Sequence, residues 1–334
     1  MNDFNAYKKN VLLKALGFNT SQTINLFNGQ QLQWLEKNET LGMDIARFFK
    51  QNNNSVVAKA FGKLAVDAWI ENKDAEVDFL FHNINNLTDP CAKNIFTELD
   101  TEMLKKDLLS KLMYTPNGVR LTFAESILKL FNDSDTFNYV IQNDNSLDEG
   151  TNASTSGAST TVSNTYLANA TQLSIARTMT HEMVHAYLNV KYSNFMSFDN
   201  GLDFKLKMDE YAKDNGITDI NSNEFHHEFM GQYVDAMAIS LVDWDVKYGT
   251  GGIYVKDSNG NNVKDSNGDD ILDWEYYRSM AFGGLFQIDT SGNIVSEIDS
   301  FKALVPDSNK RKEIAKKILN EQKGNTKAKG TKCN

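Results

Sequence analysis

The sequence is poor in residues that would place it in several common protein classes. Its 334 residues include only two cysteines and three prolines, and no apolar run is long enough to span a membrane. The cysteines, Cys91 and Cys333, are far apart in the chain, so we expect neither a disulfide framework nor a cysteine-based zinc site. The scarcity of proline leaves long stretches of the chain free to form helices.

A secretory leader is also absent from the start of this sequence. Met1–Phe4 has neither the basic region nor the apolar region of a signal peptide. The sequence therefore leaves three expectations open for localisation. The protein is cytoplasmic, is exported by another route, or is cut from a larger exported chain.

Acidic residues outnumber basic ones, but the two kinds are unevenly distributed. The net charge is −10, so the surface as a whole repels phosphate backbones, and we expect no nucleic-acid binding. The segment Lys310–Asn334 is the exception, with nine Lys or Arg residues and two Glu residues. We interpret it as a solvated helix followed by a frayed end, with an anionic partner as the alternative.

Hydrophobic periodicity predicts helices in the first third of the chain and a mixed structure after it. Apolar residues recur at helical spacing between about residues 22 and 131. Phe137–Gln142 and Thr160–Ser163 have the composition of strands, whereas the polar stretch 143–159 indicates a mobile loop.

Two longer helices are predicted further along the chain. One begins near Asn169 or Thr171, either of which can cap it, and continues to about Val190. The other covers roughly Glu224–Trp244.

An internal duplication follows the second of these helices. Val255–Asn262 and Val263–Asp270 repeat the pattern Val-Lys-Asp-Ser-Asn-Gly-Asn/Asp, which predicts tight β-turns. Acidic and amide side chains also alternate in the second copy, as they do in calcium loops. A calcium loop needs a glutamate at a position where this chain has Tyr276. We therefore predict turns and keep calcium binding as the alternative interpretation.

The segment His181-Glu182-Met183-Val184-His185 carries the strongest chemical signal. Histidines four residues apart on a helix lie on one face, one turn apart, and can bind one zinc ion. Glu182 can then reach a water at the metal and act as the general base of a hydrolase. The motif predicts that His181 and His185 are zinc ligands and that Glu182 is catalytic.

A catalytic zinc needs a third protein ligand, and the scarcity of histidine suggests where to find it. Four of the five histidines occur in two short segments, His181/His185 and His226/His227. The residues in helical phase with His226 form the richer apolar stripe, so we predict His226 as the third ligand, with His227 as the alternative. That stripe contains Phe229 or Met230, Tyr233, Met237 and Leu241.

The sequence around this motif resembles the SprT-like (Spartan-like) zinc metallopeptidases. Thr178-Met-Thr-His-Glu-Met-Val-His-Ala186, within Asn164–Leu188, is similar to the Thr-Ile-x-His-Glu-x-x-His-Ala helix that is typical of them. The closest likeness is to SprT-like regions at the C-terminal ends of large Bacteroidetes proteins. Matching segments there are Asn86–Ala92, His226–Met237 and Tyr276–Leu285.

The resemblance implies an α+β fold with a zinc peptidase domain. We expect a helical N-terminal region (1–131), a minimal zincin-like catalytic domain (132–300) with a small sheet and two ligand-bearing helices, and a basic C-terminal helix and tail (301–334). It also implies His181, His185 and His226 as zinc ligands and Glu182 as the base. SprT-like proteins usually have His-Gly at the third ligand, whereas this chain has His226-His227.

The predicted reaction is hydrolysis of a protein or peptide substrate, with zinc as the cofactor. A strand near Phe137–Gln142 or Thr160–Ser163 would hold the substrate by adding it to a sheet edge. Three alternatives remain: a zinc hydrolase of a non-peptide amide, a secreted or delivered toxin domain with the same chemistry, and a non-catalytic binding module with structural zinc.

Overall fold

The computed structural model describes residues 26–79, 83–103, 139–148, 150–193, 230–231 and 234–333. These residues form a mixed fold of helices and strands, which is consistent with the predicted α+β class. The chain divides into two compact units, Met1–Thr88 with Asp135–Val140 and Asp89–Ser134 with Ile141–Asn334, called unit 1 and unit 2 below.

The described residues of unit 1 form three helices and a β-hairpin. Asn28 begins the first helix with a capping box, since its side chain accepts from the Gln31 backbone and its backbone N–H donates to the Gln31 side chain. Ser55 caps the third helix through the Ala58 N–H. The elements are α1 (Gly29–Lys37), α2 (Glu39–Gln51), α3 (Val56–Glu71), β1 (Glu76–Asp78) and β2 (Asn83–Asn86).

Aromatic side chains fill the core of unit 1. Phe49 and Phe61 are fully buried, and Trp69 stacks on Trp34 with 5.6 Å between ring centroids. The Trp69 indole also donates to the Ala75 carbonyl, so its polar atom is satisfied. The predicted helices are present in the described part of 22–131, but the prediction is wrong at Glu76–Asp78 and Asn83–Asn86, which form strands β1 and β2. Val56, which continues the apolar pattern, is 84% exposed.

Unit 2 contains the remaining strands and helices. Its strands are β3 (Tyr139–Asp144, whose first two residues belong to unit 1), β4 (Ala153–Ser156), β5 (Ser159–Ser163), β6 (Phe286–Ile288) and β7 (Ile294–Glu297). Its helices are α4 (Pro90–Met103), α5 (Asn164–Leu167), α6 (Gln172–Ser193), α7 (Val234–Lys247), α8 (Trp274–Ala281), α9 (Asp299–Leu304) and α10 (Ser308–Lys323). One sheet has the strand order β1-β2-β3-β5-β4, and β6 and β7 form a second sheet.

The strands predicted from composition are present, but the predicted loop between them is partly wrong. Strands β3 and β5 match Phe137–Gln142 and Thr160–Ser163. Within the stretch 143–159, however, β4 pairs with β5 in an antiparallel hairpin. Gly157 lies in the left-handed region, with φ +57°, and allows the two-residue turn of this hairpin. Threonine has a high propensity for strands, and the polar composition of this stretch concealed that preference.

The duplicated segment forms turns, as predicted, and the two copies are joined in a closed ring. Asp257 Oδ1 accepts the backbone N–H groups of Asn259 and Asn261, and Asp265 does the same for Asn267 and Asp269. The ring consists of three backbone hydrogen bonds, Val255 N to Ile271 O, Val263 N to Val255 O and Ile271 N to Val263 O.

The C-terminal segment does not fray as the sequence analysis expected. Cys333 forms a disulfide with Cys91, in the first turn of α4, across a sequence separation of 242 residues. The preceding residues pair with the start of α6, where the Gln172 N–H donates to the Thr331 carbonyl over 2.7 Å. The sequence had led us to expect no disulfide framework, because Cys91 and Cys333 are far apart in the chain. That expectation was wrong, since distance along the chain does not limit proximity in the fold.

A buried carboxylate holds the same region together. Glu321 is fully buried and accepts hydrogen bonds from the Thr171 and Tyr276 hydroxyls and from the backbone N–H groups of Lys329 and Gly330. Its own carbonyl accepts from the Thr171 N–H. One residue therefore joins α10, the C-terminal segment, α8 and the start of α6.

Replacing Cys333 by Ser should destabilise the protein without changing its fold. The disulfide limits the unfolded chain, and losing such a bond typically costs ~2–4 kcal/mol. Chemical denaturation should show a lower midpoint for Cys333→Ser than for the oxidised wild type. The control is the Cys91→Ser/Cys333→Ser double variant, which should match the single variant. An unchanged midpoint on reduction of the wild type would contradict the prediction.

Candidate metal centre

Helix α6 carries polar side chains in a stretch, Leu173–Ala186, in which every residue is buried. Every residue from Leu173 to Ala186 is buried, although this stretch includes seven polar or charged side chains. Three of the seven are satisfied locally: the Tyr166 hydroxyl hydrogen-bonds Ser174 and Thr178, and Thr180 donates to the Ala176 carbonyl. The other four are Arg177, His181, Glu182 and His185, which form the candidate site.

The helix begins where the capping signal predicted. Thr171 Oγ1 accepts the Ser174 N–H, so Thr171 rather than Asn169 is the cap. The helix continues to Ser193, so the motif lies in its middle turns, where backbone hydrogen bonds fix the spacing of the side chains.

The structure brings His181 and His185 together with the spacing that one metal ion requires. Their Nε2 atoms are 3.2 Å apart, and the two rings cross at 73°. Two zinc–nitrogen bonds of tetrahedral geometry place their nitrogens about 3.3 Å apart. The two imidazoles therefore fit a zinc ion held by both Nε2 atoms.

Glu182 faces strand β4 and is held there by a threonine. Thr155 Oγ1 donates to Glu182 Oε2 over 2.6 Å, and Thr155 and Thr160 share a further hydrogen bond of 2.7 Å. Burial raises the pKa of Glu182 to about 6, while the Thr155 hydrogen bond and the positive charge of Arg177 oppose the rise. The hydrogen bond from Thr155 fixes Oε2 and so orients the carboxyl group of Glu182.

A turn after α8 packs directly on α6. Gly284, at φ +96°, lies so close to His181 that any Cβ there would overlap the imidazole ring. The neighbouring Gly283 packs in the same way on the guanidinium of Arg177. These two glycines permit the backbone of the turn to fix both side chains from one side.

Arg177 itself is 3% exposed. Its Nε and Nη2 atoms are buried and have no hydrogen-bond partner within the described part of the chain. A charged donor group in this state is unusual in a protein interior, where buried charges are paired.

The sequence motif did not reveal Thr155, Thr160, Arg177, Gly283 or Gly284. Thr155 lies in β4, which the polar composition concealed, and Thr160 lies in the predicted strand β5, where nothing connected it to Glu182. The two glycines fall within Tyr276–Leu285, which the resemblance singled out, but no local pattern connects them to His181.

The predicted third ligand, His226, and its alternative, His227, lie outside the described residues. Among the residues that the structure does describe, no group of three His, Cys, Asp or Glu side chains could hold a metal ion. The described part of the candidate metal centre is therefore the pair His181 and His185 with Glu182.

Comparisons with known proteins identify no relative. No protein-family model, no curated protein and no solved structure matches this chain. Within the described ranges, no helix is both long enough and apolar enough to cross a membrane.

Replacing Gly284 by Ala should weaken zinc binding although no ligand is changed. The new methyl group would displace the His181 ring, and disturbing the support of a metal ligand typically costs ~10–100-fold in affinity. The measurement is competition for zinc with a chelator of known affinity.

Gly268→Ala provides the matched control for this prediction. Gly268 has a similar φ of +87°, but a Cβ there meets nothing within 4 Å. It therefore introduces the same kind of backbone strain without touching the site. Equal zinc affinities for the two variants would show that the turn does not position His181.

Proposed function

We propose that this chain is a zinc-dependent hydrolase, and specifically a metallopeptidase. The observation that carries the proposal is the 3.2 Å separation of the His181 and His185 Nε2 atoms beside the buried carboxyl group of Glu182. Two nitrogen ligands and an adjacent carboxylate are what a hydrolytic zinc site needs from one helix. His226 is proposed as the third ligand, in a minimal zincin-like arrangement.

The chain's own residues would handle the protons of the reaction. A bound zinc ion supplies Lewis-acid chemistry, making a water more acidic and polarising the scissile carbonyl. Glu182 accepts the proton of the attacking water and delivers it to the leaving amine. Thr155 leaves one oxygen of the Glu182 carboxylate available for this role, since it holds only Oε2.

Strand β4 is better suited to bind an extended peptide than either strand suggested by composition. It is the last strand in the order β1-β2-β3-β5-β4, whereas β3 and β5 are interior strands. Thr155 also connects β4 to Glu182 directly. A peptide that added to the β4 edge would thus run beside the proposed base, which favours peptides over small amides as substrates.

The disulfide supports the secreted alternative for where this chemistry takes place. Disulfides such as Cys91–Cys333 persist in oxidising environments and are rare in reducing ones. We therefore propose that the peptidase acts after export, which includes the case of a delivered toxin domain.

The first test of this function is metal content. Purified protein should bind about one zinc ion per chain, and His181→Ala or His185→Ala should lose most of it because two of the three ligands are these side chains. Elemental analysis after removal of loosely bound metal measures the content. Full zinc occupancy in His181→Ala would contradict the assignment.

The same measurement distinguishes the two candidates for the third ligand. We expect His226→Ala to reduce zinc affinity much more than His227→Ala, because the richer apolar stripe places His226 toward the core. The two variants remove the same chemical group from adjacent positions, so each is the control for the other.

The second test isolates the base. Glu182→Gln keeps nearly the same shape but cannot accept a proton, so it should retain zinc while losing roughly a hundredfold or more in activity. Cleavage of unfolded casein-like proteins by the two forms, at matched zinc content, is the measurement. Equal activity would exclude the role of Glu182, and zinc binding with no cleavage by either form would favour the non-catalytic module.

A further inference from the structure

Arg177 is a buried charge that the proposed chemistry does not use. Its guanidinium is almost completely removed from water, and its Nε and Nη2 atoms have no hydrogen-bond partner among the residues that the structure describes. The buried hydroxyls on neighbouring turns of α6, those of Ser174, Thr178 and Thr180, all have partners. Because buried donors of a charged group are costly to leave without partners, this edge of the guanidinium is suited to bind a ligand.

The two atoms without partners define the shape of that ligand. Nε and Nη2 lie on the same edge of the planar guanidinium, so their N–H bonds are nearly parallel. Such an edge matches the two oxygens of one carboxylate and forms a bidentate pair with it. A neutral carbonyl or hydroxyl oxygen can accept from these donors, but it carries no negative charge to balance the guanidinium.

Arg177 is also close to the proposed reaction centre. It lies one helical turn before His181 on the same face of α6, a distance of about 6 Å along the axis. Its positive charge acts on the Glu182 carboxyl, and Gly283 beside it is followed by Gly284 on His181. A ligand at the free edge would therefore lie next to the bond being hydrolysed.

The burial of Arg177 does not separate it from the rest of the site. His181, Glu182 and His185 are 5%, 7% and 7% exposed, so all four side chains are similarly covered.

We infer that Arg177 binds a carboxylate group of the substrate. The inference rests on the proposed function and specifies its substrate class. One extended residue spans about 3.3–3.6 Å, so the carboxylate should lie within about two residues of the scissile bond. It is either the C-terminal carboxylate of the peptide or the side chain of an Asp or Glu residue.

The test compares the binding of small ligands that carry a carboxylate group with the binding of one that does not. N-acetyl-Ala-Ala is used as the free acid and as the C-terminal amide, and N-acetyl-Glu amide supplies a side-chain carboxylate alone. Binding is measured by titration calorimetry and NMR on zinc-loaded and zinc-free protein. The zinc-free arm removes direct coordination of a carboxylate by the metal.

We expect at least one of the two acids to bind wild type roughly tenfold or more tightly than the amide, with and without zinc. Arg177→Gln should abolish that preference, and Arg177→Lys should reduce it because an ammonium lacks the bidentate edge. Arg278→Gln removes an equal charge from α8 and should keep the preference. Which acid is preferred identifies the source of the carboxylate.

Equal binding of acids and amide, or a preference that survives in Arg177→Gln, would overturn the inference. Circular dichroism and thermal unfolding establish that each variant is folded. If Arg177→Gln does not fold, Arg177→Lys decides, since it keeps the charge and changes only the donor geometry. Zinc content of the wild type tests the proposed hydrolase separately, so the two ideas can fail independently.

Discussion

The structure of unit 2 depends on holding a partly polar stretch of helix, Leu173–Ala186, away from water. Fourteen consecutive residues of α6, from Leu173 to Ala186, are buried. Burial of polar groups is costly unless they have partners, and the surrounding elements supply partners to several of these groups at fixed positions. Tyr166 does this for the first turns of the helix, and Thr155 does it for Glu182.

The residues that hold α6 in place, and those that hold the turn with Gly283 and Gly284, belong to one network of hydrogen bonds. Glu321 binds the helix start through Thr171 and helix α8 through Tyr276. The next residue, Tyr277, donates to the fully buried Asp245 over 2.6 Å. Helix α8 is thereby fixed by two adjacent tyrosines, and the turn that follows it carries Gly284 onto His181. The position of a proposed metal ligand is thus linked to the far C-terminal end of the chain.

The sequence predicted the parts of the site that depend on local spacing. His181, Glu182 and His185 are set by helical geometry alone, and the structure brings them together. The Thr155–Glu182 contact, the Gly284–His181 packing and the Cys91–Cys333 disulfide join positions that are distant in sequence, so no local pattern could indicate them. The same holds for the β4 hairpin, whose Ser and Thr residues read as a loop until pairing with β5 gives them a strand environment.

The ring formed by the duplicated segment has a consequence for how that segment can change in length. In an open stack of repeats each copy leaves a free edge, so further copies can be added one after another. Here Val255, Val263 and Ile271 each donate to another member of the set, and the set closes on itself. A further eight-residue copy would have to break a bond of the ring before it could join. The closed ring therefore limits the number of copies of the eight-residue repeat. Insertions are better tolerated at the tips of the turns.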